Sequence, residues 1–408
     1  MAYCPRLVDP LLDELLSELP AVLLVGPRAS GKTTTALRHA ASIVRLDREA
    51  EAVAFRADPD AALRCLDEPV LLDEWQAVPA VLGAVKRAID ANSHPGRYLL
   101  TGSVRAEMEA ETWPGTGRLV RVTMHPLTMG EIRGHAPRPL ADRVVDGEDL
   151  VAADDTPDLL GYVAWALRGG FPEAVLGRSD RARRHWLRSY VEHIVTRDAP
   201  AVEGRRDPVR LGRYFEAYAL NTAGLAEEKT IYDAARINRK TATAYKRLLG
   251  NLMVIDDVRA WTSNRLTRLT LSPKHYLVDA SLLDGAIGVE PAAVLRDGDL
   301  LGRVLDTFVA AHLRAEAAVA RTRPRLHHLR QERGRHEVDL VLELDGRRVL
   351  GVEIKASSAP SRQDARHLRW LRDRIGERFV AGVLLHTGPA TYSLGERITA
   401  APISTLWA

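Results

Sequence analysis

The sequence predicts a chain of mainly α/β construction divided into more than one domain. Three observations predict it: a β-branched apolar run opening into a glycine-rich loop, further apolar runs ending in polar groups, and a C-terminal pair of strands between helical patterns. A length of 408 residues exceeds what one core usually organises, so two or three domains are expected. With 46% apolar and 27% charged residues the composition is that of a globular protein. A formal charge of +3 does not mark a bulk nucleic-acid binder. Charge is uneven, however: Arg178 to Arg213 carries ten Arg against five acids, and Arg321 to Arg335 six against one. Such stretches meet phosphate backbones or form solvated faces. Cys4 and Cys65 give neither a disulfide framework nor a metal-ligand spacing. The N-terminus shows no signal pattern and no run is long enough to cross a bilayer, so a cytoplasmic protein without a membrane partner is expected.

Ala21 to Val25 has the length and branching of a buried strand. It leads into Gly26-Pro27-Arg28-Ala29-Ser30-Gly31-Lys32-Thr33, a full match to the phosphate-binding G-x-x-x-x-G-K-[ST] loop, and Thr34 to Ser42 follows as a helix. The residue types suit the chemistry. Gly26 and Gly31 let the backbone wrap around phosphates, so that successive N–H groups and the helix start face negative charge. Lys32 reaches the β- and γ-phosphates of a bound nucleotide, and the Thr33 hydroxyl completes a magnesium shell. Gly26 to Thr34 is therefore the expected binding loop for ATP with Mg.

Val70-Leu71-Leu72-Asp73-Glu74 reads as a second strand, ending in two carboxylates. Asp73 is placed to hold magnesium, and Glu74 to orient and deprotonate an attacking water. Arg97 to Ser103 gives a third strand ending in small polar residues. Thr101 and Ser103 are candidates to sense the γ-phosphate, or to cap a strand-to-helix turn.

These features resemble one group: Asp73-Glu74-Trp75-Gln76, Leu100-Thr101-Gly102-Ser103, Gly117-Arg118, and Pro126-Leu127-Thr128 with Glu131. It is the AAA-type P-loop ATPases of bacteria and archaea that carry a second, poorly understood C-terminal domain. Gly169-Gly170-Phe171-Pro172-Glu173, Tyr190 with Arg197-Asp198, and Lys274-His275-Tyr276-Leu277-Val278-Asp279 continue the likeness over nearly the whole chain. The resemblance implies a charge-sensing role for Arg118; a surface salt bridge is its other use. Whether Arg118 or Arg121 acts across a subunit boundary depends on an oligomer, which the sequence leaves open.

Proline, glycine and acids crowd Gly134 to Pro157, which reads as a linker. Leu159 to Leu167 and Arg181 to Thr196 are helical in pattern. Helices starting at Thr230 and Asn238, with a wing-like hairpin from Asp256, resemble a winged-helix module. Its second helix would present Arg239, Lys240, Thr243, Lys246 and Arg247 to phosphates or base edges. Such modules also serve only as protein contacts.

Glu337 to Leu344, Asp345-Gly346, then Arg347 to Lys355 reads as a β-hairpin. Asp339 and Glu353-Ile354-Lys355 resemble the PD-(D/E)xK nuclease-like core, in which two acids hold a metal and the lysine assists water. Asp306, on an expected helix from Leu301 to Glu316, stands where the resembling ATPases tend to carry glutamate. Residues opposite each other in a hairpin share a face. A strict two-residue turn sets Asp339 opposite Val352 and separates it from Glu353. A three-residue loop, Asp345-Gly346-Arg347, sets Asp339 opposite Glu353 and Glu337 opposite Lys355, and is the register expected. Asp306, Asp339 and Glu353 are then a candidate second metal site, with Lys355 beside it; a salt-bridge cluster inherited from a nuclease-like fold is the other reading. Gln363 to Ile375 follows as a helix, and Phe379 to His386 as a strand.

The expected architecture is thus a three-layer P-loop NTPase domain at 1–135, a linker at 136–157, a helical and winged-helix-like region at 158–295, and a restriction-endonuclease-like α/β domain at 296–408. The expected function is Mg-dependent ATP hydrolysis that regulates a C-terminal half binding nucleic acid or a protein partner. An ATP-gated metal-dependent DNA nuclease and a nucleotide-switched signalling or scaffold protein without nucleic-acid binding are the alternatives, with a homo-oligomer or protein partner left open.

Overall fold

The computed structural model describes residues 3–103, 117–135, 137–199, 207–268, 271–331 and 335–408. Parts of both arginine-rich stretches, 200–206 and 332–334, lie outside the described residues. The chain forms two compact units: Met1–Pro126 with Gly250–Met253, and Leu127–Leu249 with Val254–Ala408.

The first unit is built on five parallel strands: β1 (Ala21–Val25), β2 (Ser42–Arg45), β3 (Val70–Asp73), β4 (Tyr98–Gly102) and β5 (Val120–Thr123). Their spatial order is β2-β3-β4-β1-β5, so β4 lies between the strand that enters the glycine-rich loop and the strand that ends in Asp73. Every residue of β1, β3 and β4 is buried, as continuous Val/Leu runs covered on both faces require. Val81–Ala91 supplies a covering helix, whose Val81, Val85 and Ile89 join Leu23, Leu72, Trp75 and Tyr98 in one core. Each such side chain contributes about 1.5–3 kcal/mol through burial. The helix after the loop is shorter than its pattern suggests. It runs from Lys32 to Ala36 and ends in a 3-10 turn, and Ser42, expected at the helix end, instead begins β2.

The second unit carries an eight-stranded sheet of order β12-β13-β11-β10-β9-β8-β6-β7. Its strands are β6 (Ile255–Ala260), β7 (Lys274–Leu277), β8 (Arg325–Gln331), β9 (His336–Glu343), β10 (Val349–Lys355), β11 (Phe379–His386), β12 (Tyr392–Gly395) and β13 (Ile398–Pro402). Helices Gly298–Val319 and Arg366–Ile375 pack against it. Gly351 lets the second helix close on β10, for a Cβ there would stand 2.8 Å from Leu368 Cδ2. Because β6 pairs with β8 at Arg259↔His327, the sheet crosses the boundary expected at 295–296 and joins the middle region to the C-terminal one.

The stretch read as a linker is not one. Leu140–Val145 is a helix with Leu140 and Ala141 buried; Leu140 N–H donates to Glu316 Oε2 at 2.8 Å and Arg143 donates to the Thr405 carbonyl at 2.8 Å. The preceding residues also belong to the second unit. A Thr128/Glu131 capping box starts a short helix, and Met129 N–H donates to His312 Nε2 at 3.0 Å. The break therefore falls after Pro126 rather than at 135.

Candidate functional site

The glycine-rich loop lies at the edge of the first sheet where its parallel strands end, the edge at which open α/β sheets hold ligands. Gly26 has no room for a side chain: a Cβ there would stand 2.2 Å from the Met124 carbonyl oxygen. Gly31 takes φ 92° as it enters the helix, a conformation open to glycine and strained for other residues. Arg6 braces the loop from below, donating to the carbonyls of Ser30 at 2.8 Å and His125 at 2.7 Å. Lys32 is buried, its ammonium held by the carbonyls of Gly26 at 3.0 Å and Pro27 at 2.9 Å. Burial lowers its pKa to about 8, against the opposing pull of Glu74 and Asp73.

Three strand ends converge beside it. Asp73 Oδ1 accepts from Thr33 Oγ1 at 2.8 Å and from Thr101 Oγ1 at 2.5 Å. This is a consequence of strand order, because Thr101 lies next to the end of the strand between β1 and β3. Glu74 sits just past β3 at φ 53°, a left-handed conformation that a non-glycine residue holds only under constraint. Its N–H donates to Thr101 Oγ1 at 3.3 Å, and its Oε2 accepts from Ser103 Oγ at 3.4 Å and from Gln76 Nε2. Burial, with neighbouring Asp73, pushes the Glu74 pKa up. Thr33, Asp73, Glu74, Thr101 and Ser103 thus come together. Gln76 carries no role in the sequence reading; its signal is its place in the Asp73-Glu74-Trp75-Gln76 motif, two residues beyond Glu74.

Arg118 is elsewhere. The register sets Val120 beside Val22, so Arg118 stands level with Pro20, six residues before Gly26 and about 20 Å away along the strand direction. It pairs with Asp90 at 2.9 Å on the surface. The charge-sensing role implied by resemblance is therefore not met within one chain, because a residue preceding a parallel strand lies at the sheet edge opposite the loop. Arg121 lies mid-strand on β5, beside Leu23.

The second candidate site lies within the second unit. The β9–β10 ladder pairs Val349 with Glu343 and Val352 with Leu340, and Leu344 N–H donates to the Arg348 carbonyl. This is the three-residue-loop register, with Gly346 left-handed at φ 70°. Continued by one pair, it sets Asp339 opposite Glu353, and Asp339 Oδ2 accepts from Ile354 N–H at 2.9 Å. The expected metal triad is not assembled, however. Among the described residues no group of three or more His, Cys, Asp or Glu side chains is arranged to hold a metal ion. Asp306 is bound instead by Lys274 Nζ at 2.5 Å and Tyr276 OH at 2.8 Å, and the same ammonium lies 3.7 Å from Asp339 Oδ1. Lys355 Nζ stands 3.2 Å from Glu353 Oε2. Burial raises the Asp306 pKa to about 6 and pushes that of Glu353 well above the carboxylate range. Lys274, Asp306, Asp339 and Lys355 line a polar cavity of about 510 Å³.

Of the five side chains expected on the helix Arg239–Asn251, Lys246 is not presented outward. It is drawn back to Asp257 at 2.7 Å and Glu228 at 2.9 Å, while Arg239, Lys240, Thr243 and Arg247 are exposed. Strands β6 and β7 follow as an antiparallel pair, Ile255↔Leu277 to Val258↔Lys274.

Residues 18–133 match a family model described as an AAA domain. That match and the loop geometry support an AAA-type P-loop domain in the first unit. Residues 160–293 and 301–406 match two domains of unknown function, DUF8612 and DUF4143. Two relatives described as uncharacterized proteins, from Mycobacterium tuberculosis and Mycobacterium bovis, are each 27% identical over 396 residues, covering 96% of this chain and 82% of the relative. A solved Walker-type ATPase of Pyrococcus abyssi is similar at 16% identity and a TM-score of 0.43, covering 68% of this chain and 94% of that one. No helix among the described residues is long and apolar enough to cross a membrane.

Proposed function

We propose that this chain is a Mg-dependent ATPase whose nucleotide cycle regulates its C-terminal unit in binding nucleic acid or a protein partner. The observation that carries the reading is the convergence of Thr33 and Thr101 on a single oxygen of Asp73. A loop that only bound phosphate would need Lys32 and the backbone amides, not a carboxylate aligned with the Thr33 hydroxyl. The donor set is hard oxygen beside a phosphate loop, which suits magnesium. Thr33 and Asp73 would hold the ion, which would screen charge on the transferring phosphate.

The chain's own groups supply the rest. The Lys32 ammonium, now on the Gly26 and Pro27 carbonyls, would turn to the β- and γ-phosphates. Glu74, oriented by Gln76 and Ser103, would take the proton of the attacking water, and its raised pKa favours that proton's acceptance. Thr101, bonded to the Asp73 carboxylate and to the Glu74 amide, ties the first carboxylate to the backbone that carries the second. Phosphate release measured with and without Mg, for wild type and Lys32→Ala, tests this; equal turnover in both would refute it.

For the second unit, nucleic acid is favoured over a purely protein partner by the exposed Arg239, Lys240 and Arg247 on one helix, followed by an antiparallel pair in winged-helix order. The measurement is duplex-DNA anisotropy against salt concentration, with and without ATP. A steep negative slope that Arg239→Ala with Lys240→Ala flattens is expected; no binding at low salt would turn the reading toward a scaffold. The PD-(D/E)xK nuclease alternative draws on Asp339 opposite Glu353 with Lys355 nearby, and Lys274 on Asp306 weighs against a resident metal there.

A further inference from the structure

Arg6 stands ahead of the first strand and outside every motif of the nucleotide loop, yet it is only 5% exposed. Its guanidinium joins two separate stretches of chain: Nη1 donates to the Ser30 carbonyl at 2.8 Å and Nη2 to the His125 carbonyl at 2.7 Å. A buried guanidinium is costly unless its donors are met, so these contacts are firm. The residue is itself fixed from behind. Its N–H donates to Asp9 Oδ2 at 2.8 Å, at the start of the helix Asp9–Glu18. Tyr3 OH lies 2.7 Å from Asp9 Oδ1 and 3.2 Å from Thr35 Oγ1, on the helix that follows the loop. The planar peptide gives the Ser30 contact its consequence. In a trans peptide the carbonyl of one residue and the N–H of the next point to opposite sides. Holding the Ser30 carbonyl on Arg6 therefore turns the Gly31 N–H away from Arg6. Gly31, at φ 92°, is a residue with little of its own to hold that plane still. The His125 contact adds an anchor. Met124 N–H donates to the Val25 carbonyl at 2.7 Å, and the Met124 carbonyl closes on Gly26 where a Cβ would stand 2.2 Å away. The loop is thus gripped against residues 124–125 at its first glycine and, through Arg6, just before its last.

We propose that Arg6 is a positioning residue of the nucleotide site, whose two-pronged guanidinium sets the Ser30–Gly31 peptide so that the Gly31 N–H faces the phosphates of a bound nucleotide. This rests on the nucleotide reading of the loop and adds that the loop does not shape itself. A side chain that touches no nucleotide imposes part of the cradle. The planar fork matters as well as the charge: it meets two carbonyls in fixed directions, whereas an ammonium on a flexible stem is a point charge without a fork.

The test measures equilibrium binding of ATP and ADP, with Mg, to the full chain as wild type, Arg6→Lys, Arg6→Gln and Arg143→Gln. Arg143 is the control, a buried arginine that donates to the Thr405 carbonyl in the second unit. Unfolding midpoints without nucleotide are recorded on the same samples. Both Arg6 variants should bind ATP and ADP about tenfold or more weakly, the scale of a hydrogen bond to a charged group. The two nucleotides should lose equally, because the amide would meet a phosphate that both carry. At saturating ATP the turnover of both variants should stay near wild type, so that the loss falls on KM. Arg143→Gln should lower the midpoint and leave both affinities unchanged. If the glutamine variant fails to fold, Arg6→Lys, which keeps the charge and the apolar stem, carries the comparison. Full affinity in Arg6→Lys would overturn the proposal, and so would an equal loss in Arg143→Gln, which would trace the effect to general destabilisation. A wild type that binds neither nucleotide would overturn the nucleotide reading of the loop along with it.

Discussion

Thr101 Oγ1 lies 2.5 Å from Asp73 Oδ1, and the same threonine oxygen accepts the amide of Glu74. One hydroxyl therefore ties the Asp73 carboxylate to the Glu74 backbone at the end of β3. Replacing it with a methyl of the same shape, Thr101→Val, should lower ATP turnover by about tenfold to a hundredfold while nucleotide affinity stays near wild type. Parallel measurement of steady-state phosphate release and nucleotide binding separates the two effects. A loss confined to affinity would mean that Thr101 helps hold nucleotide and has no part in positioning Glu74.

Lys32 predicts a pH dependence of binding. Its pKa of about 8 in the free chain is depressed by burial, and a bound polyphosphate would favour the charged form and raise it. Affinity is then full below pH 8 and falls as pH rises through it, roughly tenfold from pH 7 to pH 9, with a proton taken up on binding. Calorimetric titration in buffers of different ionisation enthalpy reads both quantities. A flat profile over that range would remove Lys32 as the titrating group.

Glu316 makes a separate stability prediction. Its pKa is raised by burial to about 8, while Oε2 accepts the Leu140 amide. Because the folded chain holds a proton that the unfolded chain releases, this stabilising difference is full below about pH 4.5 and is lost as pH rises through about 8. Glu316→Gln keeps the shape and the acceptor but cannot ionise. Its unfolding midpoint should match wild type in mild acid and exceed it at pH 8. Equal midpoints at both pH values would show that the carboxyl does not titrate in this window.

Arg118→Ala should leave turnover in dilute solution unchanged, since the side chain pairs with Asp90 at the sheet edge away from the loop. A large loss that scales with protein concentration would reveal a subunit boundary at which Arg118 meets another chain's nucleotide.

What sequence made legible follows from how far apart the cooperating residues lie. The phosphate loop is contiguous, so Gly26 to Thr33 could be read directly, and counting along β9 and β10 sufficed to choose the register that faces Asp339 with Glu353. Asp73 could be placed at a strand end, but its shared bonds to Thr33 and Thr101 depend on β4 lying between β1 and β3, which no local pattern encodes. Lys274 was quoted in a motif yet given no role, because its partners Asp306 and Asp339 lie far along the chain. The stretch 136–157 looked like a linker because its Pro, Gly and acids dominate the composition. Among its apolar residues Leu140, Ala141 and Leu150 are nonetheless buried, and Glu316 and Thr405 satisfy its backbone and arginine. Lys246 carried the same charge as its helical neighbours, and only Asp257 on the following strand turned it inward.

The most direct test of the central claim is Mg-dependent phosphate release from ATP by wild type and Glu74→Gln, with nucleotide binding measured on the same samples. Hydrolysis by the wild type is expected, reduced by about 10²–10⁴ in Glu74→Gln with binding retained. A wild type that binds nucleotide but releases no phosphate, or a Glu74→Gln variant as active as wild type, would contradict the assignment of an ATPase built on Asp73 and Glu74.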